Sequence, residues 1–207
     1  MVQYELALVT LSSVNPDSTY AWPDVWDPLG LSLMYDVPHE PYATFSCSRW
    51  HRRRDADRMW ARTVTEEIAS RSDVVKLSDE DADWLYPSTT VDEVVDRFLV
   101  LGARIVALSR GARGAVLASP DARVSVEPRP ARVRDTVGAG DTFMAALIAS
   151  LVDGRLGGDA ESLRAAGVGA AAAAAITVGR VGADLPTRAE LEAELASERS
   201  LPAPVTD

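Results

Sequence analysis

The sequence predicts an α/β domain with a mainly parallel sheet flanked by helices. Between residues 55 and 197, short runs of strand-forming residues alternate with segments whose apolar residues recur at helical spacing, and this alternation is typical of βαβ units. The chain has 207 residues, of which 47% are hydrophobic and 25% charged, enough for one sizeable core in a globular protein. We therefore expect a single α/β domain.

The first part of the chain has one predicted strand and is otherwise irregular. Residues 4–10 (YELALVT) alternate imperfectly, as in a half-buried strand. From residue 12 to residue 50, prolines stand at positions 16, 23, 28, 38 and 41, and no period of 2 or 3.6 residues persists. We treat residues 1–54 as an irregular, degenerate segment and assign it no function.

Regular elements follow from residue 55 onward. Helices are predicted at residues 56–69, 79–86, 90–101, 140–151, 159–177 and 187–197, and strands at residues 73–77, 104–108, 115–119 and 124–126. Ser78 is a favourable N-cap, Pro87 ends the helix that Ser78 begins, and Gly102 stops the next helix. The turn SRGARG, residues 109–114, joins two of the strands as a hairpin.

Charge and cysteine content exclude several classes of function. Thirty-one acidic and 21 basic residues leave a net charge of −10, which repels nucleic acid and anionic membranes. The single cysteine and two isolated histidines form neither a disulfide nor a zinc motif. The longest apolar run, residues 165–178, is too short to span a bilayer. We therefore expect a cytoplasmic protein without nucleic-acid or membrane partners.

The stretch RDTVGAGDTF, residues 134–143, is the main candidate site. Gly138, Ala139 and Gly140 precede an apolar helix, so the first helical amides can approach an anion without hindrance from large side chains. Asp141 lies on the first turn, where it can accept a proton from a hydroxyl. An ordinary glycine turn with Asp141 as a helix-capping acid is the alternative, and these four residues alone leave both open.

Other phosphate-binding motifs are absent or misplaced. The sequence contains no GxxxxGK[ST], which excludes a Walker-type loop. Gly167, Gly169 and Ala172 match GxGxxA, but they lie inside a helical pattern and do not follow a strand. We interpret them as small residues that allow close helix packing.

Four stretches together resemble the ribokinase-like (PfkB) family of carbohydrate kinases, and most nearly its fructokinase branch. They are VVKLSDEDADWLYP (74–87), ALSRGARGAVLAS (107–119), RDTVGAGDTFMAAL (134–147) and ITVGRVGADLPTRAEL (176–191). Their order and spacing match the family over roughly residues 55–197. The resemblance implies a ribokinase-like α/β fold and transfer of the ATP γ-phosphoryl group to a sugar hydroxyl.

The resemblance also implies roles for individual residues. Asp141 corresponds to the catalytic base, and the amides of Gly138, Ala139 and Gly140 to the anion hole for the transferring phosphoryl group. The ATP-binding turn corresponds to Ser109, Gly111 and Gly114.

Two cation sites are implied in the same way. Ser78 and Asp81 fall where the family has an Asn/Ser-x-x-Glu motif near Mg²⁺, with Asp replacing the longer Glu. Asp135 and Val137, with backbone carbonyls of residues 180–182, are similar to the loop that holds a monovalent cation, K⁺, in many members.

The chain departs from the family pattern before residue 55. Family members open with a longer segment that carries a small β-sheet lid and a sugar-binding motif with two glycines, and neither is found here. We therefore predict an N-terminally truncated chain: a degenerate segment at residues 1–54, the C-terminal ATP-binding part of a PfkB domain at residues 55–200, and a disordered tail at residues 201–207. Loss of the lid exposes sheet edges, which favours association as a homo-oligomer.

Two functions remain open. The first is a fructokinase-like sugar kinase with ATP, Mg²⁺ and a small-molecule sugar substrate. The second is a non-catalytic nucleotide-binding remnant, or a fragment that depends on a partner chain.

Overall fold

A six-stranded sheet with helices on both faces forms the protein. The computed structural model describes residues 7–11, 42–46 and 55–199. The strands are β1 (Ala7–Leu11), β2 (Tyr42–Ser46), β3 (Val74–Ser78), β4 (Ile105–Ser109), β5 (Ala115–Ala118) and β6 (Arg123–Val126). The helices are α1 (Asp55–Ala69), α2 (Asp79–Leu85), α3 (Val91–Val100), α4 (Ala139–Val152), α5 (Ala160–Val178) and α6 (Arg188–Arg199).

The strand directions contradict the prediction of a mainly parallel sheet. The spatial order is β2-β1-β3-β4-β5-β6, and among the described strands only β3 and β4 are parallel neighbours. A parallel pair needs a long crossover, which α2 and α3 provide between β3 and β4. The turns after β4 and β5 are short, so those connections can only be antiparallel hairpins. The hairpin predicted at residues 109–114 is confirmed.

Each face of the sheet carries its own hydrophobic core because side chains alternate along the strands. Val75 and Leu77 of β3 lie in the core covered by α1, α2 and α3. Val74 lies in the opposite core, together with Phe143 of α4 and Leu163 of α5. This layering sets the N-terminus of α4 over the second face. Within the described residues, no helix is both long and apolar enough to cross a membrane.

The helices agree with the sequence predictions to within a residue or two at their described ends. Local signals explain this agreement: Ser78, Thr90 and Asp159 are side-chain N-caps of α2, α3 and α5. Strand β2 was not predicted, and residues 42–46 form it by pairing with β1 over five residues. The predictions for residues 1–6, 12–41, 47–54 and 200–207, which are the start of the first strand, the irregular segment and the disordered tail, lie outside the described residues.

A charged cluster joins the three helices on the first face. The carboxylate of Glu66 in α1 accepts hydrogen bonds from Tyr86 Oη at 3.0 Å and from Arg97 Nε of α3 at 2.7 Å. Burial raises the pKa of Glu66. The hydrogen bonds from Arg97 and Tyr86 and the nearby guanidinium charges together lower it by more, so the net pKa lies below the usual value. Arg62 and Arg97 both lie against the Tyr86 ring.

We expect Glu66→Gln to lower the free energy of unfolding by about 1–3 kcal/mol, because it removes a charged acceptor shared by a buried hydroxyl and a guanidinium. Chemical denaturation at neutral pH measures this. Glu67→Gln is the matched control, since Glu67 pairs only with the exposed Arg71, and it should cost less than about 0.5 kcal/mol. Equal effects of the two substitutions would contradict a special role of Glu66.

Candidate functional site

The candidate site lies at the carboxyl ends of the two parallel strands, the usual ligand position in open α/β sheets. Ser78 ends β3 and Ser109 ends β4, and the two are paired in register. Helix α2 begins directly after Ser78, and the predicted nucleotide turn begins at Ser109. The sheet therefore brings two separate sequence motifs side by side.

The glycine turn forms the N-terminus of α4 as predicted. Gly138 is the N-cap residue, with a φ of 80° in the left-handed region that favours glycine. The amides of Gly138, Gly140 and Asp141 have no hydrogen-bond acceptor among the described residues. The amide of Ala139 donates to the Thr136 carbonyl over 3.3 Å. Three backbone donors at the positive end of the α4 dipole are thus open to an anion.

Packing provides a second reason for glycine at position 138. A Cβ atom built there would lie 2.8 Å from Cβ of Ala183, closer than two carbon atoms tolerate. Ala183 belongs to the loop after α5. Glycine therefore allows this loop and the α4 N-terminus to touch.

Two buried threonines hold the start of α4 and were missed by the sequence analysis. Thr142 Oγ1 donates to the Gly138 carbonyl at 2.8 Å and lies 2.9 Å from Thr177 Oγ1 of α5. Both side chains are buried, so their shared hydrogen bond locks the two helix ends together. A polar residue directly after Asp141 in an apolar helix was the signal that could have found Thr142.

The two aspartates that flank the glycine turn have different environments. Asp141 is exposed and has no hydrogen-bond or ion-pair partner among the described residues. Asp135 accepts the Val137 amide at 3.1 Å and the Gly182 amide at 2.9 Å. Those backbone hydrogen bonds lower the pKa of Asp135. Asp135 thus fastens the turn to the loop after α5, while the Asp141 carboxylate accepts no hydrogen bond among the described residues.

We expect Asp135→Ala to accelerate hydrogen exchange at the Val137 and Gly182 amides, because their acceptor is lost. Its destabilising effect should depend on pH. The folded-state pKa lies below the ordinary 3.8, so the stabilisation is complete above the unfolded-state pKa and is lost as the pH falls through the folded-state pKa. Exchange measured by NMR and melting measured from pH 7 to pH 2 test this; a deficit that does not shrink between pH 5 and pH 2 would contradict it.

The predicted nucleotide turn, residues 109–114, is closed by its own backbone. The Arg110 amide donates to the Gly114 carbonyl at 2.7 Å, and Gly111–Arg113 form a short 3-10 turn. Arg113 pairs with Asp79 at the start of α2. Gly111 is exposed and Gly114 is buried. No hydrogen bond or ion pair between described residues joins this turn to the α4 N-terminus.

Ser78 and Asp81, predicted near Mg²⁺, form a capping box at α2. Ser78 Oγ accepts the Asp81 amide, while the Ser78 amide and hydroxyl both donate to Asp81 Oδ2, at 2.9 and 2.6 Å. Burial raises the pKa of Asp81. These hydrogen bonds and the charge of Lys76 lower it by less, so the net pKa lies above the usual value. The described residues contain no group of three His, Cys, Asp or Glu that could hold a metal ion. Ser78 and Asp81 alone cannot surround a metal ion with protein ligands. They fit an Mg²⁺ ion that is held largely by phosphates and water, which is the usual case for that ion.

Comparison with known proteins identifies the family. Residues 52–190 match the model of the pfkB family carbohydrate kinases. The fructokinase of Rhizobium leguminosarum bv. trifolii is 43% identical over 86 residues, which are 42% of this chain and 26% of that protein. The structure of Vibrio cholerae O395 fructokinase with fructose, ADP and calcium ion has a TM-score of 0.59 and 26% identity, and the match covers 65% of this chain and 44% of that chain.

A ribokinase II from E. coli in complex with ATP and Mg²⁺ has a TM-score of 0.56 and 29% identity, over 66% of this chain and 43% of that chain. The match spans less than half the length of each of these relatives. The fold is the ribokinase-like α/β fold that the sequence predicted. The chain belongs to the pfkB family of carbohydrate kinases.

Proposed function

We propose that the protein is a fructokinase-like kinase that transfers the γ-phosphoryl group of ATP to a sugar hydroxyl. The observation that carries this proposal is the α4 N-terminus. There the exposed Asp141 carboxylate, which has no hydrogen-bond or ion-pair partner among the described residues, adjoins the open amides of Gly138 and Gly140 and its own open amide. The Asp81 carboxylate accepts hydrogen bonds from Ser78 at the start of α2, whereas the Asp141 carboxylate accepts none at the start of α4 among the described residues.

The chemistry follows from this pair of features. Asp141 accepts the proton of the sugar hydroxyl while the hydroxyl oxygen forms a bond to the γ-phosphorus. The bond from that phosphorus to the bridging oxygen of ADP breaks, and the electron pair leaves with ADP. Phosphoryl transfer passes through a loose transition state, so a weak carboxylate base is sufficient. The open amides of Gly138 and Gly140 would stabilise charge on the transferring group, and the Ala139 amide would join them by giving up its 3.3 Å hydrogen bond to the Thr136 carbonyl.

The nucleotide would lie between the turn 109–114 and the α4 N-terminus, with Ser109, Gly111 and Gly114 against its phosphates and ribose. No hydrogen bond between described residues joins the two segments, so a ligand that bridges them would displace none. When bound, Mg²⁺ neutralises phosphate charge. Ser78 and Asp81 would hold it indirectly, through water.

A monovalent cation such as K⁺ is proposed at the loop fastened by Asp135. The Val137 and Gly182 amides both donate to the Asp135 carboxylate, so backbone carbonyls of these two segments are the proposed ligands. Carbonyl oxygens are ligands that such cations prefer. Asp135 would shape this loop and contribute negative charge.

A second candidate is a protein that binds ATP without phosphorylating a sugar, or that does so only with a partner chain. One finding of the comparison supports this candidate. The matched part covers only 26% to 44% of the three relatives, so most of each relative has no matched counterpart. No sugar-binding side chain besides Asp141 is assigned among the described residues.

Turnover of ATP with a panel of sugars that includes fructose and ribose distinguishes the candidates. A sugar kinase should release ADP only in the presence of its sugar. ATP that raises the melting temperature without any sugar-dependent turnover would favour the second candidate. Absence of both effects would exclude the two together.

A further inference from the structure

Arg110 is a partly buried arginine whose side chain has no hydrogen-bond or ion-pair partner among the described residues. It follows β4 directly, and its Nε atom is buried with no hydrogen-bond acceptor. Its remaining guanidinium nitrogens also have no hydrogen-bond or ion-pair partner among the described residues. A buried donor without an acceptor costs free energy, so this arrangement needs a reason other than stability.

The other arginines make this one unusual. In a chain with 31 acidic residues, Arg97, Arg113 and Arg180 each form an ion pair with a carboxylate. Three further arginines without a partner among the described residues are all exposed: Arg132, Arg134 and Arg164. Of the arginines whose side chains the structure describes, Arg110 is the one that is neither exposed nor paired.

The position of Arg110 indicates what could satisfy it. It lies between Ser109 and Gly111 at the carboxyl end of the sheet, and its own amide closes the turn on Gly114. The neighbouring Arg113 is already engaged by Asp79. Arg110 is therefore the cation of the turn that is left for a ligand.

We propose that Arg110 binds the polyphosphate of the nucleotide, an inference that rests on the proposed kinase function. A guanidinium can place two parallel N–H donors on phosphate oxygens, a geometry that an ammonium group cannot reproduce. The guanidinium nitrogens other than the buried Nε would donate to the phosphate oxygens, and the phosphate charge would offset the cost of the unsatisfied Nε. This makes Arg110 a determinant of affinity for di- and triphosphates over the bare nucleoside.

Calorimetric titration of the full chain with ADP and with adenosine tests the proposal. Arg110→Met should raise the Kd for ADP about tenfold or more, since a charge-assisted hydrogen bond is lost, and leave the Kd for adenosine unchanged. Arg110→Lys should recover only part of the loss. Arg113→Met removes the same charge from the same turn and should change the Kd for ADP by less than about threefold.

Melting without ligand supplies a second readout. Because Arg110→Met removes an unsatisfied buried donor, it should leave the melting temperature of the free protein unchanged or higher. Equal ADP affinity in wild type and Arg110→Met would overturn the inference and leave the kinase proposal standing. A lower melting temperature with equal losses for ADP and adenosine would show a structural role and overturn it too. If the wild type binds neither ligand, both proposals fail.

Discussion

Asp141→Asn is expected to lower sugar-dependent ATP turnover by about 10²–10⁴-fold, the usual contribution of a positioned general base. The substitution keeps the size of the side chain and leaves the open amides of α4 in place, so ATP should still raise the melting temperature. Asp141 has no hydrogen-bond or ion-pair partner to lose among the described residues, so the free protein should lose no more than about 1 kcal/mol of stability, the interaction of the carboxylate with the α4 dipole. Initial rates of ADP release with the best sugar, together with melting curves, measure both quantities.

Asp121→Asn is the matched control for this experiment. Asp121 is also exposed, but it lies in the turn between β5 and β6, so its substitution should leave turnover unchanged. Retention of full activity by Asp141→Asn would remove Asp141 from the chemistry. Equal loss in both variants would point to a general effect of the surface charge.

Gly114→Ala should be the most destabilising single substitution in the predicted nucleotide turn, by about 4 kcal/mol or more. Gly114 has a φ of 79° and a ψ of −140°, a conformation that is essentially restricted to glycine. A Cβ atom there would lie 2.0 Å from the carbonyl oxygen of Val126. That carbonyl belongs to the β5–β6 ladder, which pairs Ala115 with Val126, so it cannot move without breaking strand pairing.

Gly111→Ala separates strain from collision in the same turn. Gly111 has a φ of 51°, and a Cβ atom would meet nothing within 4 Å. We expect it to cost only about 1–2 kcal/mol, the penalty for a side chain in the left-handed region. Denaturant unfolding of the two variants measures the difference. Similar costs for both substitutions would show that the contact with Val126 is relieved easily.

Local sequence signals predicted the elements well because the interactions that form them are local. Capping residues such as Ser78 and Thr90 satisfy amides three residues away, and the glycine turn exposes amides by virtue of its own small residues. The prediction of the sheet failed where pairing is distant. β2 pairs with β1 across thirty intervening residues, and no feature of residues 42–46 taken alone indicates that partner.

The candidate site divides in the same way. Sequence motifs predicted which residues surround the phosphoryl group. The roles of these residues remain predictions. The sequence could not show that Asp135 is occupied by the amides of Val137 and Gly182 while Asp141 remains free. The sequence also did not indicate that the Arg110 side chain has no hydrogen-bond or ion-pair partner among the described residues.

The sequence by itself determined the α/β class, the helix boundaries and the family, since each depends on short-range patterns and motif order. Tertiary structure alone decided the pairing of β1 with β2 and with β3, and the contrast between the two aspartates. These depend on which distant backbone groups meet: Gly182 reaches Asp135 across 47 positions, and Ser78 meets Ser109 only in the sheet. Non-local contacts of this kind are set by packing of the whole domain and not by neighbouring residues.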